Sequence, residues 1–341
     1  MRILITGGAG FIGCNLAAAS IRAGHQVTVF DNLSRRGSGA NLDWLRATFG
    51  TTAFDFVRGD IRDYPAILAA AAGQEAIYHL AGQTAVTTSV TDPRADFEAN
   101  ALGTFNVLEA ARGAGRDPVF IFSSTNKVYG GMEDAPATEL ATRYVLRDYP
   151  DGVPETRPLD FHSPYGVSKG SADQYAHDYS RIYGLKSVIF RQSCVYGQRQ
   201  MGVEDQGWVA WFVIAAVTGK PITIYGNGKQ VRDLLHVDDL VRAFQMATDK
   251  IDITKGQVYN LGGGPANTLS IWGEFGPLLE ELTGRKIVPA AWADWRPGDQ
   301  PVFIADVRKA GREFGWAPQI GVRAGIARLV EWVRANRELF A

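Results

Sequence analysis

The chain opens with a short apolar run that leads directly into a glycine-rich turn. Residues 2–6 precede Gly7, Gly8, Gly10 and Gly13, which satisfy both the G-x-G-x-x-G and the G-x-x-G-x-x-G spacing before an apolar helical stretch. Glycine suits such a turn because a Cβ would keep the backbone N–H groups from a pyrophosphate, which binds at the positive end of the helix. The pattern predicts a dinucleotide-binding strand–turn–helix unit.

Further apolar runs follow in the first half of the chain, separated by helix-like stretches. Most of them are continuously apolar, which is typical of strands buried on both faces of a parallel sheet. The predicted strands are Arg2–Thr6, Gln26–Phe30, Phe54–Val57, Ala76–Leu80, Val119–Phe122 and Ser187–Arg191, and the predicted helices are Ile12–Ala23, Tyr64–Ala72, Arg94–Gly113 and Tyr165–Tyr183. This alternation predicts an α/β fold with a Rossmann-like, doubly wound parallel sheet.

From about Tyr196 the alternation is lost, and helical stretches mix with short isolated strands. The helical stretches are Gln206–Thr218, Asp238–Thr248, Ser270–Thr283 and Val322–Asn336, and Ile222–Tyr225 is a predicted strand. We therefore predict a dinucleotide-binding domain over residues 1–195 and a smaller mixed α/β substrate-binding lobe over residues 196–341. The long segment 131–162 predicts an ordered insertion beside the site.

Charge and cysteine content narrow the class of protein. A formal net charge of -1 gives no electrostatic footprint for nucleic acid or an anionic membrane. Cys14 and Cys194 are too few for a disulfide framework, which favours a reducing compartment. The apolar run 208–217 is too short to span a bilayer, and glycines interrupt the amino terminus too early for a signal peptide. We expect a cytoplasmic protein without nucleic-acid or membrane partners, and no metal site.

Asp31 follows the second predicted strand, where a carboxylate can bind the adenosine ribose hydroxyls. Because a carboxylate repels a 2′-phosphate, Asp31 favours NAD over NADP. Arg35 and Arg36 are near enough to accept that phosphate, so NADP stays open. Asp60 fits an adenine contact and a polar helix start equally well. The other candidate cofactor-binding residues at strand ends are Phe11, Ile12, Asn32, Ser34, Ile61, Leu80, Ala81, Gly82, Gln83 and Ser123.

Tyr165 and Lys169 form the most informative spacing in the chain. Ser163 and Pro164 predict a helix start, which puts both side chains at i and i+4 on one helix face. An ammonium group and a positive nicotinamide ring would lower the tyrosine pKa from about 10, making Tyr165 a general base for a hydroxyl that loses hydride. A surface Tyr/Lys pair is the alternative. Thr125, at the end of the fifth strand where doubly wound sheets bind ligands, weighs against it.

The glycine motif, Asp31, the Ser-Ser-Thr strand end and Y-x-x-x-K resemble the extended short-chain dehydrogenase/reductase family of nucleotide-sugar enzymes over essentially the whole chain. The resemblance implies catalytic roles for Thr125, Tyr165 and Lys169. It also implies that Arg232 and Arg296, in segments 226–233 and 296–299, hold the substrate diphosphate and ribose, a task that suits planar guanidinium groups. Structural ion pairs are the alternative for both arginines. A homodimer or homotetramer formed through helices 94–113 and 165–183 is implied as well.

Segments 124–130, 159–165 and 205–208 resemble the CDP-tyvelose 2-epimerase family, also called CDP-paratose 2-epimerases. This resemblance implies tightly bound NAD and transient oxidation at C2 of a CDP-hexose, with hydride returned to the opposite face. The substrate would be CDP-paratose or CDP-glucose. The residues implied near the nicotinamide, sugar or nucleobase are Asn100, Asn126, Lys127, Gln192, Ser193, Gln206, Lys229 and Asp299.

Other activities compete with this interpretation. A 4,6-dehydratase needs an acid and a carboxylate directly after the threonine, and Asn126 and Lys127 cannot perform those tasks. A UDP-sugar 4-epimerase and a nucleotide-sugar ketoreductase stay open because they need the same base and cofactor. The remote alternative is a non-enzymatic dinucleotide-sensing scaffold, which the intact threonine, tyrosine and lysine set argues against.

Overall fold

A computed structural model describes residues 1–296 and 298–340, so Pro297 of the predicted 296–299 segment lies outside the described residues. The strands are β1 (Arg2–Thr6), β2 (Gln26–Asp31), β3 (Asp55–Arg58), β4 (Ala76–His79), β5 (Val119–Thr125), β6 (Ala137–Glu139), β7 (Tyr144–Leu146), β8 (Lys186–Gln192), β9 (Cys194–Tyr196), β10 (Thr223–Tyr225), β11 (Val231–His236), β12 (Gln257–Leu261), β13 (Thr268–Ser270), β14 (Ala291–Ala293) and β15 (Val302–Phe303). The helices are α1 (Phe11–Arg22), α2 (Ser38–Phe49), α3 (Tyr64–Ala71), α4 (Val86–Thr91), α5 (Pro93–Phe97), α6 (Gly103–Arg112), α7 (Ser163–Tyr183), α8 (Trp208–Thr218), α9 (Val237–Asp249), α10 (Ile251–Thr254), α11 (Phe275–Thr283), α12 (Arg308–Phe314) and α13 (Val322–Ala335).

Seven parallel strands form the central sheet in the order β12-β8-β5-β4-β1-β2-β3. Leu4 and Ile5, neighbours on β1, are both fully buried and belong to separate hydrophobic cores on the two faces of the sheet. The predicted doubly wound α/β fold is therefore confirmed. The strand order reverses between β1 and β4, and such a reversal opens a ligand crevice at the carboxyl ends of the strands.

The segment predicted as one helix over 94–113 is interrupted. It consists of α5, a π-helical turn at Glu98–Leu102 and α6. The turn places the Asn100 amide where it donates to Asp96 Oδ1 at 3.1 Å and to the Ser168 hydroxyl of α7 at 3.2 Å. Apolar periodicity does not report such a turn, because its causes are contacts with a distant helix.

Two elements that follow residue 195 pack with the central sheet. Strand β12 returns to the central sheet beside β8, and α9 contributes Leu240 and Phe244 to the same core as Ile5. Both elements come from the segment that the sequence assigns to the second lobe. Long connections separate the strands and helices there, so the sequence does not show their alternation. Only the pairing of β12 with β8 in the structure reveals it. Among the remaining carboxyl-terminal strands, β11 pairs with β9, β13 and β15 in a small sheet, and β10 pairs with β14 in a separate one.

The insertion 131–162 is folded onto both parts of the chain. It contains the β6–β7 hairpin, and Val153 packs in a small core with Tyr129 and Phe303. The Asn260 backbone N–H of β12 donates to Glu155 Oε1 at 2.8 Å, and the Asn260 amide donates to the Val153 carbonyl at 2.8 Å. The insertion thereby provides an acceptor for one backbone N–H on the β12 edge of the central sheet.

Within the described ranges, the helices do not include one that combines the length and the apolar character needed to cross a membrane.

Candidate active site

The glycine-rich turn joins β1 to α1 at the crevice. Gly7 has a φ of 68°, and a Cβ on it would lie 2.7 Å from the backbone nitrogen of Ala81. A Cβ on Gly13 would lie 2.1 Å from the Gly7 carbonyl oxygen. Helix α1 starts at Phe11, and its N-cap Gly10 offers no side-chain hydrogen bond, so the first N–H groups of the helix are available to an anion. The turn therefore fits a dinucleotide pyrophosphate.

Asp31, at the end of β2, braces this turn. Its Oδ2 accepts a hydrogen bond from the Ala9 N–H at 3.1 Å, and its Oδ1 accepts one from the Leu33 N–H at 2.8 Å. Burial raises the pKa of the carboxyl, and the backbone donors Leu33, Ala9 and Gly10 oppose that rise. Asp31 thus has a structural task in addition to the predicted ribose contact.

The next predicted cofactor residues contact one another along the crevice. Asp60 accepts hydrogen bonds from Arg62 Nε at 3.0 Å and from Asn32 Nδ2 at 2.9 Å, and Arg62 holds its pKa below the usual range. Asn32 Oδ1 in turn accepts from the Ser34 N–H at 2.9 Å. The Asp60 carboxylate is therefore hydrogen-bonded to residues of its own crevice loops, as expected for a polar residue before a helix.

Arg35 spans the crevice from the β2–α2 connection to the small lobe. Its guanidinium donates to the Thr84 hydroxyl at 2.5 Å and to Gln206 Oε1. Burial lowers the pKa of Arg35, and Tyr165 raises it. The structure thus brings together Arg35, predicted at the cofactor, and Gln206, predicted at the nucleobase.

The remaining candidate cofactor residues lie after β3 and at the ends of β4, β5 and β8. The Gln83 N–H donates to Asn100 Oδ1 at 2.9 Å, while Leu80, Ala81 and Gly82 connect β4 to Gln83. Ile61 is buried against Gly103. Gln192, at the end of β8, has a buried Nε2 without a hydrogen-bond partner among residues 1–296 and 298–340. An unpartnered buried amide needs an acceptor, and a bound dinucleotide would provide one.

Tyr165 and Lys169 lie on the first turns of α7. The Ser163 hydroxyl accepts from the Gly166 N–H at 3.2 Å, which is the capping contact that the sequence predicts. The Tyr165 N–H donates to the Ser89 hydroxyl at 3.1 Å. Lys169 Nζ donates to the Ser123 carbonyl of β5 at 2.6 Å, so the lysine ties the catalytic helix to the strand that ends in the predicted catalytic threonine.

The electrostatics of this group differ from the sequence-based expectation. Burial raises the pKa of the Tyr165 phenol; the Thr125 hydroxyl opposes that rise, Asp96 adds to it, and Arg35 opposes it. The Lys169 ammonium donates to the Ser123 carbonyl of β5. Burial lowers the pKa of Lys169 to about 8, and the carboxylates of Asp173 and Asp96 oppose that fall.

A cavity of about 450 Å³ opens beside Thr125 and Tyr165, between the central sheet and the small lobe. Eight of the residues predicted at the substrate line it, namely Thr125, Asn126, Lys127, Ser193, Gln206, Arg232, Arg296 and Asp299. Its size falls within the range typical of small-molecule sites. Lys229 does not line it: its Nζ is bound to Glu139 Oε1 at 2.7 Å, so the structure does not support Lys229 as a nucleobase contact.

The charged side chains in the cavity wall are already paired with one another. Arg232 Nη2 lies 2.5 Å from Asp299 Oδ1, and Lys127 Nζ lies 3.9 Å from the same oxygen. Burial lowers the pKa of Lys127 to about 8, and Asp299 opposes that fall. Arg296 stacks on the Tyr225 ring with 3.9 Å to the ring centroid. Both arginines thus make contacts within the protein, which the sequence leaves open as the alternative to substrate binding. They also lie on the wall of a cavity that an anionic substrate would enter.

Sequence reasoning missed the apolar and aromatic part of the wall. It is formed by Val86, Val90, Trp208, Phe212, Tyr225 and Ile271. These residues come from α4, α8, β10 and the turn after β13. Apart from Trp208, which ends segment 205–208, they carry no motif, so only the fold identifies them. Asp233, fully buried behind the cavity wall, was also missed because its partners lie far apart in the chain.

The sequence profile of the NAD dependent epimerase/dehydratase family matches residues 3–262, which is most of the chain. The chain belongs to this family. The CDP-paratose 2-epimerase of Salmonella typhi is 44% identical over 97% of this chain and 99% of the relative.

Solved structures agree with this membership. The UDP-glucose 4-epimerase of Thermotoga maritima, with UDP-glucose, has a TM-score of 0.84 and 32% identity, covering 99% of this chain and 100% of the other. The dTDP-glucose 4,6-dehydratase DesIV of Streptomyces venezuelae, with NAD bound, has a TM-score of 0.83 and 30% identity, covering 99% and 98%. As a member of the NAD dependent epimerase/dehydratase family, the chain is an NAD-dependent enzyme, and the glycine turn and the unpartnered Gln192 amide fit that cofactor.

We expect Gly13→Ala to reduce the NAD content of the purified protein at least about tenfold, because the new methyl group would collide with the Gly7 carbonyl and displace the turn. NAD released on denaturation measures this content. Gly39→Ala is the matched control, since nothing lies within 4 Å of a Cβ at that position of α2. Full NAD content in Gly13→Ala would contradict the assignment of the turn.

Proposed function

We propose that this protein is an NAD-dependent nucleotide-sugar epimerase that inverts C2 of a CDP-linked hexose, converting CDP-paratose to CDP-tyvelose. One observation carries the proposal. Thr125 and Tyr165 line a substrate-sized cavity beside Asn126 and Lys127 in a chain 44% identical to a CDP-paratose 2-epimerase over nearly its full length.

Tyr165, Thr125 and Lys169 have separate roles in the proton transfer. Tyr165 accepts the proton of the C2 hydroxyl as it is oxidised and returns a proton to the same oxygen on reduction. Thr125, whose hydroxyl lowers the phenol pKa, orients that oxygen. Lys169 holds the first turns of α7 against the Ser123 carbonyl. NAD supplies the hydride acceptor and donor when it is bound.

The cavity wall disfavours elimination chemistry. A 4,6-dehydratase needs a side chain that donates a proton to the leaving hydroxyl and a carboxylate that removes a carbon-bound proton. At the two positions after Thr125, the wall carries the Asn126 amide, which donates to Gln300 Oε1 at 3.4 Å, and the Lys127 ammonium, which donates to the Gly298 carbonyl at 3.1 Å. Neither group is a carboxylate. This difference separates the chain from the dehydratases that share its fold.

Reaction at C4 is the second candidate, and the Thermotoga maritima structure favours it. A ketoreductase uses the same base but releases its dinucleotide after each turnover. The experiment is to incubate the purified protein with CDP-paratose, CDP-glucose and UDP-glucose and to follow C2 and C4 by NMR, without added cofactor. We expect inversion at C2 of a CDP-sugar. Inversion only at C4, or turnover that requires added dinucleotide, would contradict the proposal.

We propose that the protein is a homodimer formed through α5, α6 and α7. These helices expose apolar side chains that a monomer would leave in water, namely Phe97, Phe105, Val167, Tyr175 and Ile182. The double variant Val167→Glu/Tyr175→Glu is expected to be monomeric by light scattering after size-exclusion chromatography. Val288→Glu, at an exposed valine elsewhere, is the control. A monomeric wild type would contradict the proposal.

We also propose a reducing, cytoplasmic environment, which the two free cysteines support.

A further inference from the structure

Asp233 lies on β11 with its carboxylate fully buried behind the cavity. Its Oδ2 accepts hydrogen bonds from the Gly264 N–H at 3.1 Å and the Ala305 N–H at 3.1 Å. Its Oδ1 accepts the hydroxyl proton of Ser193. A Cβ on Gly262 would lie 1.9 Å from Oδ2, so the chain leaves room for this carboxylate and for little else.

The three partners of Asp233 are the places where the chain passes between the central sheet and the small lobe. Ser193 separates β8 from β9, Gly264 follows β12, and Ala305 follows β15. Ser193 also lines the substrate cavity. The carboxylate therefore links these connections between the sheet and the small lobe to Ser193, a polar group on the cavity wall.

The two carboxylate oxygens are not equivalent. Because Oδ2 faces two N–H donors, it must remain an acceptor in every protonation state. Oδ1 faces only the Ser193 hydroxyl. When Asp233 is ionised, Ser193 must donate to Oδ1, and its oxygen then offers only lone pairs to the cavity.

We propose that Asp233 fixes the direction of the Ser193 hydrogen bond and so makes Ser193 an acceptor for a hydroxyl of the sugar nucleotide. This inference rests on the proposed function for the identity of the substrate. Asp233 is a positioning residue, since it acts only through Ser193. A proton on Asp233 would sit on Oδ1 and donate to Ser193, which would turn the serine proton toward the cavity.

Burial raises the pKa of Asp233 to about 6, and the Ser193, Ala305 and Gly264 donors oppose that rise. The titratable and charged groups around it are Cys194 on β9, Arg232 beside it on β11, and Asp306 after Ala305. Arg232 is paired with Asp299 and Asp306 with Arg308. The reversal of Ser193 is therefore expected between pH 5 and pH 7.

Asp233→Asn reproduces the reversed state at every pH. Its amide oxygen must face Gly264 and Ala305, so its NH₂ group faces Ser193 and forces the serine to accept. Above pH 7 we expect the kcat/KM of the variant for CDP-paratose to be about tenfold below that of the wild type, mainly through KM, because one substrate hydroxyl loses its acceptor. As the pH falls through about 6, the wild-type value is expected to decline toward the variant, which shows no such decline.

Ser193→Ala is the second variant, and it should show the same loss and the same absence of a decline near pH 6. If Asp233→Asn instead keeps the wild-type decline, or if Ser193→Ala is fully active, the inference is wrong. A fold readout separates this result from failure of the proposed function. Because the folded-state pKa is raised, stability due to Asp233 is present below about pH 4 and is lost as the pH rises through about 6. Wild type should therefore lose stability relative to Asp233→Asn across that window, even without turnover of CDP-paratose; absence of this loss would show that Asp233 does not ionise there.

Discussion

Tyr165→Phe is expected to lower kcat by about 10²–10⁴-fold, the contribution typical of a positioned general acid–base, while the protein keeps its NAD. The substitution removes the phenol oxygen beside Thr125 and leaves a ring of the same shape in a site that is 9% exposed. Packing should therefore be preserved. The two measurements are the rate of C2 inversion by NMR and the NAD released on denaturation.

Tyr64→Phe is the matched control, because Tyr64 lies on α3, does not line the cavity and is 38% exposed. It should turn over at the wild-type rate. Wild-type turnover in Tyr165→Phe would refute the base assignment, and loss of NAD from that variant would show that the tyrosine acts by holding the cofactor instead.

Asp173→Asn is expected to reduce the free energy of unfolding by about 3–5 kcal/mol, because removal of one partner leaves a buried charge uncompensated. Asp173 is fully buried and accepts from Arg191 Nε at 3.0 Å and Arg191 Nη2 at 2.8 Å. It also accepts from the Ser124 hydroxyl at 2.7 Å. Urea unfolding of the NAD-bound protein measures the change.

Asp252→Asn provides the comparison for this second prediction. Its side chain is 93% exposed and its ion pair with Lys255 spans 3.5 Å, so its loss should change the free energy of unfolding by about 1 kcal/mol or less. If Asp173→Asn costs no more than Asp252→Asn, the buried pair does not stabilise the fold as the geometry indicates.

The sequence anticipates those features that depend on neighbours in the chain. The glycine turn and the starts of β1, β2 and β5 follow from local patterns and lie where those patterns put them. Strands β2 and β5 end at Asp31 and Thr125, beyond the predicted ends at Phe30 and Phe122. Because parallel strands end at one edge of a sheet, those local patterns also bring Thr125 to the same crevice as Tyr165.

Features that depend on distant partners escape the sequence. Strand β12 is recognised only by its pairing with β8, and the π-helical turn around Asn100 only by its contacts with Asp96 and Ser168. Asp233 ends segment 226–233, which the sequence singles out, yet its three partners are 31 to 72 residues away. The raised pKa of Tyr165 likewise depends on burial of the phenol, which spacing alone does not reveal.

The central claim is that C2 is oxidised and then reduced with the same hydrogen, and one isotope measurement tests it most directly. CDP-paratose deuterated at C2 is incubated with the purified protein in ordinary water, and the CDP-tyvelose formed is examined by NMR and mass spectrometry. We expect the deuterium to remain at C2 and the configuration of that carbon to be inverted. Product in which solvent hydrogen replaces the deuterium at C2 would contradict it.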